Sequence, residues 1–167
     1  LKGRNDGEVR DLVRYSVDKG IDISFIEEMP LGIVDSHDRS EEYCSSEEVR
    51  LAIASQFDLL PSVESTGGPS RYFRVVGSTS RVGFISPHSQ NFCHSCNRIR
   101  VTAEGRLILC LGNEHSVDLK IVLREEGGDI ARLRQCLVDA MALKPERHYF
   151  EVKAQPVILR HMNATGG

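Results

Sequence analysis

Three cysteines constrain this chain more than any other feature. Cys93 and Cys96 are separated by two residues, and Cys110 follows after thirteen more. A two-residue spacing lets one tight loop aim two sulfurs at one centre. For Cys110 to join them, the chain between has to turn back on itself. The stretch "TAEGR" (102–106) suits a three-residue hairpin loop of Ala103, Glu104 and Gly105, with Gly105 left-handed in a bulge. Thr102 then pairs with Arg106, and counting outward pairs Arg98 with Cys110. Side chains alternate along a strand, so Arg98, Arg100 and Cys110 are expected on one face. A two-residue loop at Glu104–Gly105 would send Cys110 to the other face, so the register is a real test.

The elements around the hairpin fall into two patterns. Asn5 or Asp6 can cap a helix with apolar positions Val9, Leu12, Val13 and Val17, stopped by Gly20. Ile21, Ile23 and Phe25 then alternate as a strand ending by Pro30. Residues 33–44 are polar and read as a loop. Ser45 with Glu48 forms a capping box before Val49, Ala52, Ile53 and Phe57. From residue 71 the period changes, and "RYFRVV" and "RVGFIS" read as strands. Ile130, Leu133, Leu137 and Met141 recur at helical spacing, with Pro145 beyond. This is a βα unit followed by an α+β region.

The cysteine count is five, an odd number, with three of them clustered, which does not describe a secreted disulfide scaffold. A reducing, cytoplasmic setting is expected. The net charge of −3 argues against bulk nucleic-acid binding. No apolar run approaches the ~18 residues of a membrane helix, and no signal peptide is legible. The chain begins without Met and reads as the continuation of an earlier segment.

The thiols leave three chemistries open. A structural zinc site would take its fourth ligand from His88, His94 or His115. A redox CxxC would use Cys93 and Cys96 and leave Cys110 idle. An iron–sulfur cluster on three cysteines would leave one iron free for another ligand. Zinc is the commoner user of this spacing. Cys136 sits beside the Leu133–Leu137 stripe as a small buried hydrophobe, and Cys44 has no evident role.

One block is more specific than spacing. "FISPHSQNFCHSCNRIRVTAEGRLILCL" resembles the C-terminal signature of the GTP 3′,8-cyclase family, radical S-adenosylmethionine enzymes of molybdenum cofactor biosynthesis. "FIEEMPLG", "KPERHYF" and the terminal "RHMNATGG" resemble further segments of that family, in its order. The resemblance implies a [4Fe–4S] cluster on Cys93, Cys96 and Cys110 whose fourth iron is open to the guanine of GTP. It implies that Arg98 and Arg100 hold the triphosphate and that Gly166 and Gly167 reach the substrate. It also implies a fold, namely the final units of an incomplete (β/α) barrel over residues 1–34, then a GTP- and cluster-binding α+β region over 35–167. The family's other cluster, on an N-terminal CxxxCxxC, cleaves S-adenosylmethionine to start the conversion of GTP to 3′,8-cyclo-7,8-dihydro-GTP. No such motif stands in this chain, so the expected partners are GTP, an N-terminal half of the same enzyme and, at full length, a second copy. The fragment alone is expected to be inactive. Ser24 stands where many relatives carry Arg, and no role is carried over to it.

Other residues have plainer readings. Glu27 and Glu28 follow a strand end, where βα folds place sites, but adjacent residues face opposite ways and do not form an acid/base pair. Lys144 and His148 lie past a helix C-terminus, where positive charge suits the dipole. Arg71 and Arg74 read as strand-edge charges.

Overall fold

A computed structural model describes residues 1–124, 128–151 and 158–165. The chain is a mixed α/β protein with two sheets in two compact units, residues 1–29 with 35–92, and residues 30–34 with 93–167.

In the first unit, helix α1 (Val9–Lys19) buries Val9 and Val13 and ends at Gly20, whose φ of 64° is the left-handed stop expected. Its start differs from expectation. A single 3-10 turn, Asp6–Glu8, precedes it, and neither Asn5 nor Asp6 caps α1. Asn5 makes no side-chain cap bond, and Asp6 Oδ1 accepts instead from Gly3 N. Leu12, expected inside, is 40% exposed. Strand β1 (Ile23–Ile26) follows, then a one-turn helix α2 (Arg39–Glu42) inside the stretch expected to be loop. Asp38 makes α2 possible by accepting from Ser40 N and Glu41 N.

Helix α3 (Ser46–Ala54) carries the full capping box. Ser45 Oγ accepts from Glu48 N, and Glu48 Oε2 accepts from Ser45 N at 2.8 Å. Lys2 also pairs with Glu48, and these donors hold the Glu48 carboxyl down at about 2. We expect Ser45→Ala to lower stability by about 1 kcal/mol, measured by urea unfolding.

Strands β2 (Leu59–Pro61), β3 (Arg71–Val75) and β4 (Arg81–Ile85) complete the sheet in the order β1-β4-β3-β2. Only β1 and β4 run parallel, with Ile23 opposite Val82 and Ile26 opposite Ile85. Val9, Val13, Ile53, Val75, Val82 and Phe84 form the core. Phe84 stacks on Phe25 and meets Phe73 edge-on at 5.6 Å.

In the second unit, β5 (Arg100–Val101), β6 (Arg106–Ile108) and β7 (Ser116–Asp118) form an antiparallel meander. Arg100 pairs with Ile108 and Val101 with Leu107. Gly105 has a φ of 80°, and Thr102 N donates to Arg106 O at 2.9 Å. This is the expected three-residue loop. Helix α4 (Leu119–Arg124) starts where Asp118 accepts from Lys120 N and Ile121 N. Helix α5 (Ile130–Ala142) is capped by Asp129. Leu107, Leu109, Leu119 and Ala140 form the core, with Leu133, Cys136 and Leu137 packed on it. Ile130 and Met141, expected on the buried stripe, are exposed, because Ala140 takes the innermost position.

Candidate metal centre

Cys93 opens a single 3-10 turn, Cys93–Ser95, closed by Cys96 N donating to Cys93 O at 3.0 Å. The turn holds the two thiols one step apart, as a CxxC requires. Cys110 lies two residues beyond β6, brought back by the Gly105 turn. None of the three thiols is in a disulfide, and all are half-buried.

Cys110 registers the company it keeps. Burial pushes its thiol up, and the charges of Cys93 and Cys96 push it further; the N–H of Gly112 and the ammonium of Lys144 oppose them. Were all three deprotonated together they would repel one another, and a bound cation would relieve that repulsion. The backbone N–H of His148 donates to Cys93 Sγ at 3.5 Å. Among the described residues, no three or more histidine, cysteine, aspartate or glutamate side chains form a preformed single-ion site. The donor set itself, three soft thiols with backbone N–H groups aimed at two of them, suits a thiophilic metal or an iron–sulfur cluster.

The two arginines lie on the same arm of the hairpin. The ladder stops at Arg100, so Arg98 is not in a strand, and the expected Arg98–Cys110 pairing is not part of the sheet. Lys144 closes that end instead. Its Nζ donates to Arg98 O at 3.0 Å and to Leu109 O at 2.6 Å. Arg98 is exposed and Arg100 half-buried, and among the described residues neither guanidinium has a hydrogen-bond or ion-pair partner. Gly166 and Gly167 lie outside the described residues.

The candidate histidines divide. His88 Nε2 is 2.9 Å from Glu28 O, and its ring meets Tyr43 edge-on. His94 and His115 are exposed. Lys144 departs from the dipole reading, since its ammonium reaches the two hairpin carbonyls. No sequence pattern signals such a contact, because both acceptors are backbone atoms.

Glu27 and Glu28 are both engaged structurally. Glu27, 3% exposed, accepts from Ser46 N and His88 N at 2.9 Å, from Ser89 N at 3.0 Å and from Ser89 Oγ. Burial alone would raise its carboxyl, and these donors outweigh it and hold it below the usual carboxylate range. Burial and the Glu27 charge together raise the neighbouring Tyr43 phenol. Glu28 lies against His37 Nε2 (2.8 Å) and Arg39 Nε (3.0 Å). Arg71 donates to Gln90 and Arg74 pairs with Glu64, in keeping with strand-edge charges.

Fold and thiols together define an α/β protein with a cysteine-lined candidate metal centre on an antiparallel hairpin. Residues 21–150 match the Molybdenum Cofactor Synthesis C family, and the chain belongs to it. The GTP 3′,8-cyclase of Pseudomonas entomophila strain L48 is 61% identical over 168 positions, covering 100% of this chain and 50% of that protein. The GTP 3′,8-cyclase of Marinobacter nauticus is 56% identical over 167 positions, covering 100% of this chain and 51% of that protein. The chain thus spans about half the length of the curated relatives it matches.

Proposed function

We propose that this chain is the substrate-binding half of a GTP 3′,8-cyclase of molybdenum cofactor biosynthesis. The observation that carries this reading is the return of Cys110 toward Cys93 and Cys96, whose charges act on its thiol, on a hairpin whose first arm carries Arg98 and Arg100. Cys93, Cys96 and Cys110 would hold a [4Fe–4S] cluster. When bound, such a cluster supplies an open iron that accepts a nitrogen or oxygen lone pair from the base. Arg98 and Arg100, two and four residues past Cys96, offer planar forks matched to phosphate oxygens and would hold the triphosphate of a nucleotide whose base meets the cluster. Gly166 and Gly167 would approach the same substrate. The chain's work is then binding and orientation, which can supply a large part of a rate enhancement.

The rest of the enzyme follows the same reading. The remaining half would carry S-adenosylmethionine and a second [4Fe–4S] cluster, in a cytoplasmic homodimer. Residues 1–34 would be the end of a partial (β/α) barrel and 35–167 the GTP- and cluster-binding region. Two features support the barrel reading. The β1–β4 pair is parallel, and β1 lies at the sheet edge with Ile26 60% exposed. Among the described residues, no helix is long and apolar enough to cross a membrane.

Anaerobic reconstitution of the full-length protein tests the reading. The expected result is a brown, iron-loaded protein that binds GTP. A protein that takes up one colourless zinc, forms no cluster and ignores GTP would instead be a structural zinc module. Arg98→Ala addresses the phosphate contact separately. Losing a charge-assisted bond should weaken GTP about tenfold or more in calorimetry, with iron content unchanged. Lost iron would reassign Arg98 to the fold.

A further inference from the structure

The β5–β6 ladder ends at Arg100 and Ile108, short of the thiols. Beyond that point the two arms need another tie, because Leu109 is wholly buried and its carbonyl needs a donor. Lys144 Nζ supplies it at 2.6 Å and reaches Arg98 O at 3.0 Å in the same grip. Arg98 is two residues past Cys96, and Leu109 is the residue before Cys110. The ammonium therefore bridges the two chain segments that carry these thiols. Charge-assisted bonds of this kind are roughly twice as strong as neutral ones.

The segment after Lys144 continues along the same centre. His148 N donates to Cys93 Sγ, and the His148 ring lies on Phe150 with centroids 4.3 Å apart. Gly112 packs so closely beneath this pair that an added methyl would meet the Phe150 ring at 3.0 Å. Lys144 and His148 thus both reach the thiol-bearing segments from outside the hairpin.

We infer that Lys144 is a positioning residue for the thiol centre, clamping the Cys96 and Cys110 arms together and fixing a positive charge beside them. The charge part rests on the iron–sulfur reading above; the clamp part does not. A fixed positive charge near a cluster stabilises its reduced, more negative state, so Lys144 raises the reduction potential.

Two measurements on the full-length protein separate the parts. In the iron-free protein, Lys144→Met should speed amide hydrogen exchange across residues 96–110 about tenfold, and unchanged exchange would overturn the clamp. In the anaerobically reconstituted protein, Lys144→Gln should shift the oxidised-to-reduced ratio about tenfold at fixed applied potential. That shift is about 59 mV toward negative values for one electron. Lys144→Arg keeps the charge and should restore the wild-type potential. A Lys144→Gln potential equal to that of the wild type would overturn the charge role. Wild-type protein that takes up no iron would sink the cluster reading and the charge role with it, while the exchange result still decides the clamp. If Lys144→Met does not fold, the exchange of Lys144→Arg and Lys144→Gln decides the same point, since Gln is too short to span both carbonyls. Wild-type exchange in Lys144→Gln would then overturn the clamp.

Discussion

Cys110→Ala should leave the protein folded and strip it of iron. Anaerobic reconstitution of the wild type should load about four irons at this centre, as a three-thiolate [4Fe–4S] site requires. The variant keeps only the CxxC pair, and two thiolates grip a cubane at two corners. Its iron at this centre should fall to about a tenth of the wild-type amount or less, with the brown absorption lost. The fold should survive because the second core is built from Leu107, Leu109, Leu119 and Ala140, without the Cys110 thiol. Far-ultraviolet circular dichroism should therefore be unchanged. A variant that retains full iron would show that Cys110 is not a ligand and would return the centre to a CxxC chemistry.

Glu27→Ala should destabilise the first unit by about 2–3 kcal/mol, because a buried donor at Ser46 and part-buried bonds from His88 and Ser89 lose their acceptor together. The carboxylate also makes stability depend on pH. Its folded pKa lies below the ordinary 4.5, so its contribution is fully present above about pH 4.5 and is lost as pH falls through the depressed value. Glu27→Gln keeps one acceptor oxygen but does not titrate, so its urea midpoint should be lower at pH 7 and flatter on the acid side. Equal acid slopes for wild type and Glu27→Gln would mean that Glu27 is not the group responsible.

The hairpin was legible because its signals are local and chemically restrictive. Gly105 is the residue best suited to a left-handed loop position, and the cysteine spacing demanded a return. The capping box at Ser45 was legible for the same reason. What escaped was short or non-local. Strands β2 and β7 span three residues each, and β2 ends on a proline, so neither shows a period. Helix α4 has six residues and follows β7 without a break. Glu27 was visible as a residue at a strand end, but its donors come from positions 19 to 62 residues away. Lys144 was visible as a positive charge past a helix, and only the folded hairpin shows where that charge goes. The Arg98–Cys110 pairing extrapolated the ladder too far, since the arms part before they reach it.

The two kinds of strand pairing also set an order of events along the chain. Joining Ile23 to Val82 in the parallel pair requires closing the whole stretch between them, with two helices and two strands inside it. Such non-local contacts are the slow part of folding. The Arg100–Ile108 pairing closes over a three-residue loop, and hairpins of that kind form in about 1–10 μs. Cys93, Cys96 and Cys110 all sit on or next to this fast element. Under the proposed cluster reading, a chain with this hairpin formed would present its thiols to a metal donor while the parallel sheet is still open, and iron loading would not wait for the first unit to finish folding.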